Sequence, residues 1–330
     1  MTTIPRHSGG GVTRRGEMSM RSLGPFLAIA FGLAWGLLAL MILFTSQVEA
    51  VFGPVSGTNP LFILAVYAPG IAAILLIWWH YGAKGLARFF RRLVLWRMPL
   101  GWWAFLLIGI PAVKYLGAAI NGTIGDPFPF TPWYMLLPAL AITLFIGPLG
   151  EEFGWRGVAL PLLQRRFAPL WASLILGSIW GVWHLPAFVL GGTPQSAWSF
   201  GPYVVGVLAL SVIVTPMFNA ARGSILIPIL FHYQMNLPIW PDAQPWENYL
   251  FAGVAVIIVI IERKSMLRRG GGVTEILAPL RKAEPTLRRR SNRLGELGSD
   301  QDASDRSGGR HVRARDQATS LPFGPCASPR

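Results

Sequence analysis

The sequence predicts an all-α polytopic membrane protein in which about eight transmembrane helices enclose a polar cavity. Hydrophobic residues make up 52% of the 330 residues and charged residues only 13%, which is about half the charged fraction of a soluble domain. The apolar residues form long runs, and most charges lie at the ends of these runs. The 14 Trp residues indicate the same class, because indole rings favour the interface between membrane and water.

Eight apolar segments have the length that a bilayer demands of a helix. They lie at approximately residues 24–45, 61–80, 100–120, 133–160, 169–190, 201–221, 223–240 and 247–262. Lys and Arg occur in the N-terminal arm and in every second connection, whereas the alternate connections contain none. Because short cytoplasmic loops carry the excess of Lys and Arg, both termini are predicted to be cytoplasmic. In a prokaryote the protein would lie in the plasma membrane.

Composition divides the chain into three parts. Residues 1–23 form a basic arm, residues 24–264 the membrane domain with its polar core at about 147–240, and residues 265–330 a basic tail. The tail has few large apolar residues and is predicted to be disordered. Residues 85–96 have Arg on one side and apolar residues on the other, which predicts a short amphipathic helix at the cytoplasmic interface.

The net charge of +14 would suggest a nucleic-acid partner in a soluble protein. Here the Arg residues lie between apolar segments and in the tail, so topology and anionic lipid headgroups explain them. We therefore predict lipid headgroups as partners and no nucleic acid. Cys326 is the only cysteine, which excludes an intrachain disulfide and a cysteine-based metal site.

A few ionisable side chains lie within the predicted spans, where their burial is costly and function is the default explanation. The candidates are Glu151, Glu152, Arg156, His184 and His232, with Asn236 one turn after the last of them. Lys114 and His80 also lie in predicted spans. We predict structural roles for these two, because a lysine can extend its ammonium group to the interface and His80 lies at a span end.

Helical spacing separates the two adjacent glutamates. Glu152 and Arg156 are four residues apart in the favourable order, which predicts an ion pair on one helix face. Glu151 is then free for chemistry, while the pair beside it holds it in place. Three small residues predict the close approach of a neighbouring helix: Gly150, Gly154 and Gly157.

Depth in the bilayer places the candidate residues at a similar level. Counted from the cytoplasmic ends of their spans, Glu151 and His184 lie about 14 residues or roughly 20 Å deep, and His232 lies roughly 14 Å deep. We therefore expect the three side chains to meet in one cavity in the cytoplasmic-to-middle part of the bilayer.

The candidate residues suit peptide hydrolysis in a dehydrated cavity. A carboxylate and a neutral imidazole beside one water can activate it as a nucleophile. A second histidine and an amide N–H can donate to the developing oxyanion. Zinc is the alternative, with ligands among Glu151, His184 and His232, although the H-E-x-x-H pairing of one class of zinc protease is absent.

These residues, in this order, resemble the CPBP family of intramembrane proteases, which includes the CAAX-processing endopeptidases and bacterial Abi-like proteins. The resemblance rests on E-E-x-x-x-R at 151–156, on L-P-L-L-x-R-R at 160–166 and on the histidine at the end of the next span, His184. R-G-S-I at 222–225 follows and leads into H-x-x-x-N at 232–236.

The resemblance implies an eight-helix fold whose membrane cavity holds a water activated by Glu151 and His184. It also implies that His232 and Asn236 form the oxyanion hole, and a glutamate-dependent mechanism fits these residues without a metal. Trp180 stands where the family has phenylalanine, four residues before the first histidine. The family's third motif, F-x-x-x-N, is not found. Cavity shape and substrate range are therefore expected to differ.

The leading function is an intramembrane endopeptidase that cleaves a peptide bond of a membrane-associated or lipid-modified substrate. The residues leave two other classes open. One is a non-catalytic homologue that binds a membrane partner in immunity or regulation. The other is a proton-coupled transporter that uses the buried charges as a pathway. Transporters commonly consist of repeated halves, and the sequence contains no corresponding halves, which disfavours this third class.

Overall fold

The computed structural model describes residues 17–278. Every regular element in this range is helical and no strand occurs in it, so the predicted all-α class is confirmed. Most of the predicted N-terminal arm lies outside the described residues, as does the predicted tail beyond residue 278 with Cys326.

The helices pack around two clusters of buried apolar side chains. One cluster joins α1, α4 and the second half of α6, and the other joins α5, α8 and α10. The helix bounds are α1 Leu23–Leu43, α2 Thr45–Phe52, α3 Pro60–Val66, α4 Ala68–Phe90, α5 Leu100–Asn121, α6 Trp133–Gln164, α7 Pro169–Trp183, α8 Phe200–Ala220, α9 Leu226–Asn236, α10 Trp246–Ile261 and α11 Arg263–Met266.

Several helices are long and apolar enough to cross a membrane. Four of them qualify singly, namely α1, α5, α6 and α8, and a fifth span results if α3 and α4, which meet at a bend of 53°, count as one. Large apolar side chains stay exposed on the bundle, such as Leu107 at 61% and Ile261 at 73%, as expected of surfaces that face lipid. The chain is an integral membrane protein, and the count of eight spans stays a prediction.

The predicted fifth span is shorter in the structure. Its helix, α7, ends at Trp183 rather than near residue 190, because Pro186 has no N–H to donate to the carbonyl of Val182 and so cannot continue the α-helical hydrogen bonds. Short single-turn helices and loop occupy residues 185–199. His184 therefore stands at the end of a helix that is roughly 22 Å long at the helical rise.

The predicted seventh span is shorter as well. Its helix, α9, covers Leu226–Asn236 rather than 223–240. Arg222 and Gly223 have positive φ angles of 57° and 78°, so the chain turns before the helix starts, and Pro238 cannot continue it. His184 and Asn236 thus both lie at the C-terminal ends of short helices.

Residues 85–96 begin in a separate short helix, as their amphipathic pattern predicts. Gly82, with φ 63° and ψ −166°, interrupts α4, so residues 83–90 form a helical segment of their own, and a single tighter turn follows it. Arg92 is only 2% exposed and donates hydrogen bonds to the carbonyl oxygens of Gly157 and Gly223, at 2.7 Å each. The prediction is wrong for this arginine, because buried carbonyl partners hold its guanidinium inside the protein.

Residues 271–278, which composition assigns to the tail, pack against the Arg-rich ends of the helices. Four side chains of the membrane domain donate to backbone carbonyls of this segment: Gln164 to Val273 at 2.8 Å, Arg165 to Thr274 at 3.1 Å, Arg92 to Ile276 at 2.8 Å and Arg88 to Ala278 at 2.9 Å. The packed body therefore extends past the predicted boundary at residue 264. Disorder of the tail beyond residue 278 stays a prediction.

The distribution of Lys and Arg predicts that the two ends of the bundle face opposite compartments. Ala197 is exposed in a connection without cations, and Arg269 is exposed beyond α11. In a Cys326→Ser background, we expect Ala197→Cys to react with a membrane-impermeant maleimide in intact cells. Arg269→Cys should react only after permeabilisation, as measured by mass spectrometry. Reaction of both cysteines in intact cells would contradict the topology.

Candidate functional site

The helix α6 is broken in its middle, directly before the two glutamates. Gly147 has φ 117° and ψ −87°, a conformation that other residues rarely adopt, and Pro148 lacks the N–H that a helix requires. The Tyr67 hydroxyl donates to the carbonyl of Phe145 at 2.7 Å beside this break. The helix then resumes, and both glutamates lie in the first turn of the new segment, where negative charge is favourable.

The glycines that were predicted to admit a neighbouring helix do so. The helix α4 and the residues before it lie against residues 150–157 so closely that an added methyl group would clash. A Cβ on Gly150, Gly154 or Gly157 would lie 3.0 Å or less from atoms of Tyr67, Pro69 or Phe89, respectively. The predicted close approach is confirmed, and α4 forms the wall behind the glutamates.

Glu151 faces the interior of the bundle and is held through one oxygen. The indole Nε1 of Trp180 donates to its Oε2 at 2.6 Å, and the glutamate is 4% exposed. Within residues 17–278 its Oε1 has no hydrogen-bond partner. A carboxylate held in this way keeps one oxygen free to accept a proton from a bound molecule.

Glu152 is bound by two basic side chains. Its Oε1 lies 2.8 Å from Arg156 Nη1 and 2.9 Å from His232 Nδ1. The Arg156 guanidinium also lies over the Trp180 ring, with Cζ 4.4 Å from the ring centroid, which is a favourable cation–π geometry. The ion pair that spacing predicts is formed, and the two adjacent glutamates have different partners.

His184 follows the last residue of α7 and is surrounded by aromatic rings. Its Nδ1 lies 2.8 Å from the carbonyl oxygen of Trp180. A carbonyl can only accept, so Nδ1 carries a proton and Nε2 of the neutral ring has the lone pair. The rings of Trp183 and Tyr203 approach edge-on, with centroids 4.8 and 5.4 Å away. His184 can therefore accept a hydrogen bond or a proton at Nε2.

His232 and Asn236 project from one face of α9, as their spacing predicts. Nδ1 of His232 is bonded to Glu152, which leaves Nε2 for another partner. A Cβ on Gly147 would lie 3.2 Å from Asn236 Nδ2 and 4.0 Å from His232 Nε2. Both nitrogens therefore border the space that this glycine leaves open at the break in α6.

One cavity of about 550 Å³ contains all of these groups. The site residues that line it are Glu151, Glu152, Arg156, Trp180, His184, His232 and Asn236. Three connections that contain no Lys or Arg, at 53–59, 191–199 and 237–245, contribute the loop residues of its lining. No residue of the described Arg-bearing connections lines it. The cavity therefore extends from the glutamates toward the end of the bundle that lacks cations.

The prediction that Lys114 extends its ammonium group to the membrane interface is wrong. Its ammonium nitrogen lies 2.5 Å from Glu247 Oε2, and both residues are buried and line the cavity. Gln244 Nε2 donates to the other oxygen of Glu247 at 2.5 Å. The prediction fails because a carboxylate from α10 pairs with the lysine, which stabilises its charge inside the bundle. His80 is not among the residues that line the cavity.

Sequence reasoning missed two residues beside the site. Gly147 forms the break that separates the halves of α6, and the signal for it is the Gly-Pro pair within an apolar segment. Glu247 lies in the first turn of α10 and completes the pair with Lys114. The signal for Glu247 is Lys114 itself. Charges within a membrane usually pair with one another, so a lysine in one span indicates an acidic partner in another.

The described residues also bear on the zinc alternative. Among residues 17–278, no group of three or more His, Cys, Asp and Glu side chains is arranged to hold a metal ion. In the proposed ligand set of Glu151, His184 and His232, each side chain already has a protein hydrogen-bond partner. The cofactor requirement stays a prediction.

One of two comparisons with known proteins locates its match, and this match covers the part of the chain that carries these groups. Residues 132–238 match the family model described as type II CAAX prenyl endopeptidase Rce1-like. The chain is also 29% identical to CAAX prenyl protease 2 of Methanococcus maripaludis in an alignment of 184 residues that covers 51% of this chain and 67% of that relative. The resemblance to the CPBP family that the motifs predict is therefore confirmed, and residues 132–238 of this chain are similar to the Rce1-like family.

Proposed function

We propose that the chain is a CAAX protease-type endopeptidase that hydrolyses a peptide bond within the membrane with a water activated by Glu151 and His184. One observation carries the proposal: Trp180 holds both groups, because its indole N–H binds Glu151 and its carbonyl binds His184. Each group therefore keeps one atom, Oε1 or Nε2, free for a water in the cavity that both of them line.

In the proposed reaction, ionised Glu151 is the general base. A water held between Glu151 Oε1 and His184 Nε2 gives one proton to the glutamate while its oxygen attacks the peptide carbonyl carbon. The carbonyl opens to a tetrahedral oxyanion. When the oxyanion collapses, the carbon–nitrogen bond breaks and Glu151 returns the proton to the leaving nitrogen. The products are a carboxylic acid and an amine, and Glu151 is ionised again.

His232 and Asn236 are the proposed donors to the oxyanion. Asn236 offers its Nδ2–H groups. His232 already donates from Nδ1 to Glu152, so its Nε2 can donate only when the ring carries both protons. Glu152 is the counter-ion for that imidazolium, and Arg156 shares the same carboxylate oxygen. Preorganised donors of this kind contribute about 10²–10³-fold each to the rate.

The proposed substrate is a peptide segment of a membrane-associated or lipid-modified protein. The cavity lies inside a membrane domain, and the archaeal relative is named a CAAX prenyl protease. Anionic lipid headgroups are the proposed partners of the Arg-rich end of the bundle. No step needs a metal, and zinc held by Glu151, His184 and His232 is the alternative mechanism.

The proposal is tested with purified, detergent-solubilised protein and a peptide library whose products are identified by mass spectrometry. We expect cleavage to survive removal of metals by a chelator. Replacing His184 by alanine should lower kcat/KM by about 10²-fold, because Nε2 no longer orients the water. The matched control is His80→Ala, which changes a histidine outside the cavity lining and should cleave like the wild type.

Each contrary result identifies a different failure. Activity that disappears with the chelator and returns with zinc would establish the metal mechanism. Full activity of His184→Ala would remove this histidine from the reaction. If the wild type cleaves no member of the library and binds a membrane protein instead, the chain is the non-catalytic homologue.

A further inference from the structure

Trp180 lies at the centre of the polar cluster. Its indole N–H donates to Glu151 at 2.6 Å, and its backbone carbonyl accepts from His184 at 2.8 Å. The centroid of its ring lies 5.5 Å from that of His232. The Arg156 guanidinium lies over its face at 4.4 Å. The side chain is 5% exposed, so these contacts form away from bulk water.

The edge and the face of this ring bind different members of the cluster. The edge donates to Glu151, whereas the face supports Arg156, whose Nη1 binds Glu152 at 2.8 Å. Adjacent carboxylates in one helical turn would otherwise compete for the single guanidinium. The indole therefore assigns the cation to one glutamate and a neutral donor to the other, which leaves Glu151 without a directly bound cation.

Phenylalanine, which the family resemblance places at this position, could supply the face but not the edge donor. A phenyl ring has no N–H, so a carboxylate beside it would lack this partner. Within residues 17–278 the Trp180 N–H is the one donor that binds the carboxylate of Glu151. The exchange of phenylalanine for tryptophan in this chain therefore adds a hydrogen bond to the proposed base.

We propose that Trp180 is a positioning residue, a role that rests on the proposed function of Glu151 as the base. Its N–H fixes Oε2 so that Oε1 is directed to the attacking water, and its ring holds Arg156 on Glu152. Orientation of this kind acts on the chemical step and not on substrate affinity. Loss of the N–H should thus change kcat and leave KM unaltered.

The test replaces Trp180 by 3-benzothienylalanine, an isostere in which sulfur takes the place of the N–H group. We expect kcat to fall about 10- to 100-fold, the range for one hydrogen bond to a charged group. KM should not change, because the ring over Arg156 is retained. The midpoint of thermal unfolding should fall, because a buried carboxylate oxygen loses its donor, so kcat is measured at a temperature well below the midpoint of the variant. Trp180→Phe, which also retains an aromatic ring, should lower kcat at least as much.

The matched control is the same isostere at Trp35, whose indole N–H donates to the backbone carbonyl of Trp183 at 3.0 Å and which does not line the cavity. This variant should retain the kcat of the wild type. Unchanged kcat for the Trp180 isostere, or an equal loss at Trp35, would overturn the proposal. If Glu151→Gln is inactive and the Trp180 isostere is fully active, the positioning role alone fails. If Glu151→Gln is fully active, the proposed function fails.

Discussion

Replacing Glu151 by glutamine is expected to lower kcat by about 10³-fold or more, because the amide cannot take a proton from water. The fold should be retained, since the glutamine carbonyl oxygen can still accept from the Trp180 N–H. KM should change little, because the side-chain volume and the cavity lining are preserved. Steady-state cleavage of a peptide substrate in detergent measures kcat and KM, and a thermal unfolding curve reports whether the fold is retained.

The control for this substitution is Glu49→Gln, which makes the same chemical change at an exposed glutamate outside the cavity. Its cleavage rate should equal that of the wild type. A Glu151→Gln variant with wild-type turnover would exclude this residue as the base. Equal losses in both variants would point to a general effect of charge on the preparation.

Replacing Arg156 by methionine is expected to destabilise the protein by about 3–5 kcal/mol, the cost of breaking a buried ion pair through one partner. Arg156 and Glu152 are 2% and 1% exposed, so water cannot replace the lost partner. The imidazole of His232 would remain as the one basic group on Glu152. Unfolding by denaturant in a lipid-like detergent gives the free energy difference.

The double variant Glu152→Gln with Arg156→Met removes both charges and serves as the control, because the glutamine carbonyl oxygen can still accept from His232 Nδ1. Removing both charges of a buried pair is often nearly neutral, so much of the lost stability should return although activity stays low. If the double variant is as unstable as Arg156→Met, the loss comes from packing over Trp180 and not from the unpaired carboxylate.

The membrane class and the residues of the polar cluster follow from the sequence because both depend on hydropathy. Long apolar segments predict spans, and ionisable residues inside them stand out as candidates. Spacing also predicts the Glu152–Arg156 pair, because it lies within one helix. The family model matches the part of the chain that carries this cluster, residues 132–238.

Features that depend on contacts between distant segments could not be predicted in the same way. Hydropathy does not indicate that Lys114 meets Glu247 or that Arg92 turns inward to backbone carbonyls. The early ends of α7 and α9 reflect backbone turns, which an apolar segment conceals. The hydrogen bond from Trp180 to Glu151 requires the relative rotation of two helices, which no single-segment pattern contains.

The segment 271–278 sets a limit on where the chain can be shortened or joined to a reporter. Truncation directly after α11 would remove the carbonyls that Gln164 and Arg92 bind at Val273 and Ile276. Arg92 also binds the carbonyl of Gly157, so its displacement would reach the helix that carries the glutamates. A fluorescent or phosphatase fusion joined beyond this segment keeps these bonds and leaves the helix that carries the glutamates in place.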